Sequence, residues 1–421
     1  MRLLLVTNYF PPHYTGGAEV VVYNECHGLR EQGVDASVLM INARMKEQQD
    51  HHREYKGVPI HEITYRPHRL KSGLLQAFDP RIYRAMLAEL RRVQPDLVHV
   101  HNVSGTTLAP FLACHRLGLP VVLTLHDHWL LCPNNMLYRR DGSLCDVSTR
   151  SRTCNQCFRR YDFWANIPGR RWLFARLVDS VRLFVSPSQK LVELHVAASY
   201  DRSRFRVVPN GIKPALFQLP ADPAVRAITR EAGQRRTLLF AGAIAENKGI
   251  LTLVAAAPLL ARYVPGVRLV VAGTGDPSLI EALRGVDPDV IELLGQVPFQ
   301  EMRALYATAD LTVVPSLWYE NSPMCIYESL LAGTPVLGSE VGGIPELIEL
   351  GQTGYTFGRG DPVALTERVI QHFARSARER RAMRRQCVEH SRSHMTLERH
   401  LERMQQVYKE VLGEHGDRSK R

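Results

Sequence analysis

Short, almost wholly apolar runs that stop at a polar or glycine turn recur along this chain, most of them followed by a stretch with helical spacing. RLLLVTN at 2–8 leads into a turn carrying Gly16 and Gly17. AEVVVYNECHGLREQG then places apolar residues at helical intervals, stops at Gly33, and gives way to ASVLMI. Runs that are apolar without alternation suit strands buried on both faces, and parallel neighbours in such a sheet need helical crossovers. The rhythm continues through a helix over 79–93, LVHVHN, a helix over 106–117 and PVVLTLHD, and resumes at RLFVSPS and FRVVPNGI. A proline-bearing connection at 209–220 separates these from a second series: TLLFAGAI, VRLVVAG, VIELLG, LTVVPS and GTPVLGS. At 421 residues the chain is too long for one ordinary core. The expectation is an α/β protein with two Rossmann-like, doubly wound parallel-sheet domains, 1–208 and 209–400, facing a cleft lined by strand C-termini. After Asp361 the chain reads as helical to about Leu412, with 401–421 a terminal helix and a polar, frayed tail.

Hydrophobic residues at 45% and charged residues at 23% fit a soluble globular protein. The first apolar run, LLLV after Arg2, is too short for a secretory signal or a membrane span, so a cytoplasmic protein is the expectation. The net charge of +11 is uneven: residues 1–200 hold 25 Lys and Arg against 17 Asp and Glu. Such an excess attracts an anionic membrane, an acidic acceptor or nucleic acid, or is simply a solvated basic face. No finger spacing accompanies it, which argues against nucleic acid.

Residues 128–172 break the rhythm. Cys132, Cys145, Cys154 and Cys157 are spaced C-x12-C-x8-C-x2-C. Four soft ligands in this compass suit a structural tetrathiolate zinc with no open coordination position; free thiols or a redox pair are the other readings. FRRYDFWANIPGRRWLFARLV then interleaves arginine with aromatics, as an interfacial membrane segment does, or as a packed helix with a basic outer face does.

The chemistry concentrates at 316–348, SLWYENSPMCIYESLLAGTPVLGSEVGGIPELI. Ser322 suits an N-cap and Pro323 the first helical position, which puts Glu320 in the preceding loop and Glu328 about one and a half turns into the helix. Gly342-Gly343 and a second helix start follow the strand. A helix N-terminus facing glycine turns is a place for an anionic ligand. Lys248 and the Gly273-Thr274-Gly275 turn follow other strands of the same half; in the first half Gly17 precedes the first helix, and His101 and His126 each stand at the end of a strand. A lysine and a helix N-terminus together suit a leaving diphosphate, and a carboxylate such as Glu328 can accept both ribose hydroxyls. No GxGxxG follows the first strand and no GxxxxGK[ST] occurs, which argues against a dinucleotide dehydrogenase and a Walker-type NTPase.

The chain resembles retaining glycosyltransferases of family 4, of the GT-B fold, through an ordered set of motifs: GGAE at 16–19, PDLVHVHN at 95–102, TLHD with His126, VPNGI at 208–212, ENKG at 246–249, E-x7-E from Glu320 to Glu328, and GGIPELI at 342–348. ENSPMCIYE and the cysteine-rich segment after HDHWLLCP resemble a bacterial subgroup. The resemblance implies sugar transfer from a nucleotide diphosphate sugar to a sugar or lipid-linked acceptor, with retained anomeric configuration and no catalytic metal. It implies a place in cell-surface polysaccharide or glycolipid synthesis, in the cytoplasm or at the inner face of the membrane. His126, Glu320 and Lys248 would serve catalysis, with His126 hydrogen-bonding the sugar. Gly17, Gly242, Lys248, Gly273, Met324, Cys325 and Glu328 would hold the donor, and the terminal helices would pack back on the first domain. One departure stands out: where the family's GR-x-x-x-x-KG motif carries arginine, this chain has Ala243. That substitution leaves open a non-catalytic nucleotide-sugar-binding protein of the same fold.

Overall fold

Runs that are apolar on both faces become interior strands when helices cover both sides of the sheet, and that is how the chain folds. The computed structural model describes residues 1–12, 16–42, 45–66, 78–101, 106–132, 134–147, 157, 177, 180–217 and 235–418. It divides into two compact units: Met1–Asn210 with Leu397–Arg421, and Gly211–Thr396.

The first unit is built on strands β1 (Arg2–Thr7), β2 (Asp35–Asn42), β3 (Gln49–Tyr55), β4 (Val58–Thr64), β5 (Leu97–Val100), β6 (Val121–Thr124), β7 (Val181–Ser186) and β8 (Phe205–Val207). Their order is β3-β4-β2-β1-β5-β6-β7-β8. The sheet is parallel except where β3 joins β4 antiparallel. A search for apolar runs misses this hairpin, because QDHHREY is a mostly exposed edge strand. Its turn is Lys56-Gly57, with φ of 48° and 80°, the positive pair that a tight hairpin favours. One sheet face packs on helices Pro80–Val93 and Ala109–Leu117 through Ile82, Met86, Leu90 and Phe111. The other face packs on helix Gly17–Glu31 and on the terminal helix, Leu397–Arg418, whose Leu397, Leu401, Met404, Tyr408 and Val411 join Val22, Leu29 and Leu5 in one core.

That burial moves two boundaries. The returning helix begins at Leu397, four residues before the expected 401, because Leu397 already packs in the first unit. It stays helical to Arg418, well into the stretch expected to fray.

The second unit holds β9 (Arg236–Ala241), β10 (Val267–Ala272), β11 (Ile291–Gly295), β12 (Leu311–Val314), β13 (Val336–Ser339) and β14 (Gly354–Phe357), all parallel in the order β11-β10-β9-β12-β13-β14. The strand order turns back on itself between β9 and β12, the switch point beside which doubly wound sheets bind ligands. The helix expected after Gly343 is only a 3-10 turn, Pro345–Leu347. The helical stretch after Asp361 breaks at Ser376, whose hydroxyl accepts from Glu379 N–H while Glu379 accepts from Ser376 N–H, starting a new helix at Ala377. Among the described residues no helix is long and apolar enough to cross a membrane.

Candidate active site

In the second unit the site grows from the two loops that leave the switch point. After β9 the chain passes Gly242 and Ala243 into the 3-10 turn Glu246–Lys248; after β12 it passes Ser316, Trp318 and Glu320 into the helix Met324–Leu331. Leu317 N–H donates to the Asn247 carbonyl at 2.8 Å and ties the loops together. Lys248 Nζ then donates to Glu320 Oε1 at 2.6 Å, with Ser316 Oγ donating to the same oxygen at 2.8 Å and the Trp318 ring centroid 5.1 Å from the ammonium. Burial pushes the Glu320 carboxyl up, but the Lys248 ammonium and these hydrogen bonds outweigh it and hold the group below its ordinary range. The glycine pair at 342–343 serves this same residue. Gly343 N–H donates to the Glu320 carbonyl at 2.7 Å, and Gly342, at φ 61°, lies so close that a Cβ there would sit 2.2 Å from that oxygen.

Glu328 lies on the helix itself, where Tyr306 Oη donates to its Oε2 at 2.8 Å. Burial pushes its carboxyl up to about 7, the Tyr306 hydrogen bond opposing. Among the described residues no basic side chain pairs with it, so it is poised to gain from hydroxyl donors. The helix starts one residue later than expected: Pro323 is the N-cap, with no side-chain acceptor, and Ser322 instead shares a hydrogen bond of 2.7 Å with Tyr327 Oη. The N-cap residue therefore offers no side-chain acceptor to the amides that open the helix at Met324 and Cys325. The Cys325 thiol is pushed up to about 12, by burial first and then by Glu328 and Glu320, and stays neutral. Gly242 and Gly273 follow β9 and β10, and a Cβ on Gly273 would lie 1.8 Å from the Gly242 carbonyl. Ala243 is exposed and brings no charge.

In the first unit the two histidines meet. His101 N–H donates to the Val6 carbonyl at 2.9 Å just past β5, and His101 Nδ1 lies 3.1 Å from His126 Nε2, their rings 19° from parallel. His101 is fully buried and held well below its ordinary value by burial and then by His99; half-buried His126 is pushed down to about 4 by burial. Gly17, also of this unit, opens helix Gly17–Glu31 and is exposed.

The fold matches that of solved Anabaena Alr3699/HepE in complex with UDP and glucose, at a TM-score of 0.70 and 16% identity over 97% of this chain and 100% of that one. Residues 15–216 match the family model Glycosyltransferase Family 4, and residues 235–375 match Glycosyl transferases group 1. The chain belongs to the GT-B glycosyltransferases. Relatives of this glycosyltransferase include an uncharacterized 42.6 kDa protein in the cps region of Klebsiella pneumoniae, 24% identical over 82% of this chain and 87% of that one. Another is the alpha-maltose-1-phosphate synthase of Mycolicibacterium smegmatis, 26% identical over 84% of both chains.

The glycosyltransferase thus joins Lys248 to Glu320 directly and seats Met324, Cys325 and Glu328 on the helix that follows. Sequence reasoning missed Ser316 and Tyr306, which hold the two glutamates, and it missed the partners behind His101: Glu25, His99, His400 and Tyr408. Two signals existed. A glutamate interrupts the apolar face of AEVVVYNECHGL, and VHVH puts two histidines on one face of a strand. Of the four insert cysteines, Cys154 lies outside the described residues. The Cys145 thiol is pushed up by burial, with Arg139 opposing and Cys132 and Cys157 adding to the rise, but these three sulfurs do not form a group within metal-ligand distance of one another. The arginine and aromatic segment that follows lies almost wholly outside the described residues.

Proposed function

We propose that this glycosyltransferase takes a sugar from a nucleotide diphosphate sugar and transfers it with retained anomeric configuration. The observation that carries the reading is the Lys248–Glu320 pair at the β9/β12 switch point, followed at once by the helix start at Met324 and by Glu328. Lys248 and the amides at Met324 and Cys325 take the charge that develops on the leaving diphosphate. Glu328 accepts the ribose hydroxyls, Glu320 contacts the transferred sugar, and Gly242 and Gly273 let backbone approach the donor. His126 hydrogen-bonds the sugar, and Gly17 lets backbone approach the donor phosphate or the acceptor. In a front-face displacement the departing phosphate oxygen takes the acceptor proton as the new glycosidic bond forms on the face the diphosphate leaves. The acceptor is a sugar or lipid-linked sugar of cell-surface polysaccharide or glycolipid synthesis, a reading supported by the cps-region relative. We place the enzyme in the cytoplasm, in peripheral contact with anionic lipid; vesicle flotation at low salt tests the contact.

Release of free nucleoside diphosphate from a donor panel, with candidate acceptors, tests the activity. Ala243 favours a second reading, a nucleotide-sugar binder without turnover: donor binding by thermal shift with no release in any pairing would establish it. We propose that turnover needs no bound metal, so it persists in EDTA. We also propose a structural zinc held by Cys132, Cys145, Cys154 and Cys157, which would pin the insert. Elemental analysis showing no stoichiometric metal would end it.

A further inference from the structure

Behind His101 and His126 lies a buried polar cluster assembled from four distant parts of the chain. Glu25 of helix Gly17–Glu31 is 1% exposed, and all its partners are buried too. His99 Nδ1 approaches its Oε1 at 3.1 Å, Tyr408 Oη donates to that oxygen, and His400 Nε2 stands 3.4 Å from Oε2. His99 Nε2 meets Thr124 Oγ1 at 2.7 Å, and His400 Nδ1 meets the Pro209 carbonyl at 2.8 Å. His101 Nε2 faces the same Oε2 at 3.8 Å, beyond hydrogen-bond reach, with no other hydrogen-bond partner among the described residues.

Hydrogen-bond chemistry assigns the protons. The Pro209 carbonyl and the Glu25 carboxylate can only accept, so His400 faces an acceptor at each nitrogen. His101 is neutral and has one proton to place. On Nε2 it points at the carboxylate; on Nδ1 it would turn the Nε2 lone pair toward that charge. The carboxylate therefore selects Nε2–H, which leaves His101 Nδ1 as acceptor for His126 Nε2–H at 3.1 Å. Glu25, His99 and His101 offer ligand atoms within 4.8 Å of one another, as a metal site would. Yet both Glu25 oxygens and both His99 nitrogens already have hydrogen-bond partners, which a bound ion would have to displace.

We propose that Glu25, acting through His101, is a positioning residue that fixes His126 in its Nε2–H tautomer and so makes Nδ1 the nitrogen that accepts from a sugar hydroxyl. The second half of this statement rests on the proposed role of His126; the first does not.

Long-range nitrogen–proton NMR of histidine-labelled full-length protein, with His126 assigned by its loss in His126→Ala, reads the tautomer directly. The expected result is Nε2–H in the wild type and in Tyr408→Phe, where the carboxylate remains. A mixture of both tautomers is expected in Glu25→Gln, with kcat down about tenfold, the scale of one misplaced hydrogen bond. His101→Phe, which removes the acceptor, should give the same mixture and stands in should Glu25→Gln not fold. A wild-type Nδ1–H tautomer, or folded Glu25→Gln and His101→Phe proteins that keep Nε2–H, would overturn the proposal. If His126→Ala transfers sugar at the wild-type rate, the sugar-binding role falls while the tautomer assignment stands.

Discussion

Glu320 and Glu25 are both buried carboxylates held below their ordinary range, but their surroundings differ in a way that separates binding from positioning. Glu320 answers chiefly to one flexible cation, Lys248, whose side chain is 28% exposed and whose loop is a short stretch of sequence. An exposed ammonium can share its charge with an arriving diphosphate without breaking a core. Glu25 is enclosed by three imidazoles and a phenol, drawn from β5 and the terminal helix, and burial is outweighed only by their combined pull. Removing any of these weakens the hold on a charge that has no route to solvent. The first arrangement is open to a ligand; the second can only hold its neighbours in place.

Lys248→Ala probes the open arrangement most severely. It removes the diphosphate's cation and strands Glu320, so transfer should fall by about 100-fold or more, measured as nucleoside diphosphate release. Retention within about threefold would show that the pair is structural and would erase the contrast with Glu25. Gly342→Ala drives a Cβ into the Glu320 carbonyl at φ 61° and should lower stability by about 2 kcal/mol in denaturant unfolding; an unchanged midpoint would show that the loop under Glu320 is slack.

Glu328→Gln should weaken donor binding about tenfold, the lower end for a charge-assisted hydrogen bond. It also has a pH signature. Its folded value near 7 lies above the ordinary 4.5, so its stabilising contribution is fully present below pH 4.5 and is lost as pH rises through 7. Unfolding of the wild type should therefore lose stability relative to Glu328→Gln across that window, while donor affinity rises with pH as the carboxylate forms. Parallel stability curves would mean that Glu328 is not perturbed. The smallest effect belongs to Glu410→Ala. Arg206 Nε donates to Glu410 Oε2 at 3.1 Å, pinning the terminal helix near β8, but both side chains are about a third exposed. Its loss should cost under about 1 kcal/mol in thermal unfolding. A larger cost would place the hold of that helix in its rim instead of in the core around Tyr408.

How far each site could be read follows from how local it is. Lys248, Glu320 and Glu328 sit in loops and a helix start directly after apolar runs, and the switch point brings those loops together once the strands are assigned. Even there, Ser322 proved to be a partner of Tyr327 and not a cap, because a hydroxyl's choice depends on what packs beside it. The β3–β4 hairpin escaped because its polar edge carries no buried face to announce it.

The amino-acid sequence alone determined two doubly wound halves and the placing of the second half's charged residues, because apolar runs, glycine turns and short motifs act over a few residues. Only the tertiary structure decided that residues 25, 99, 101, 400 and 408 would meet. The apolar stripe of the terminal helix shows that it packs somewhere, but the choice of face across some 300 residues is made by side-chain fit. The protonation of His101 and Glu328 was likewise settled by burial, and that of Glu25 by the imidazoles gathered against it, which no stretch of sequence states.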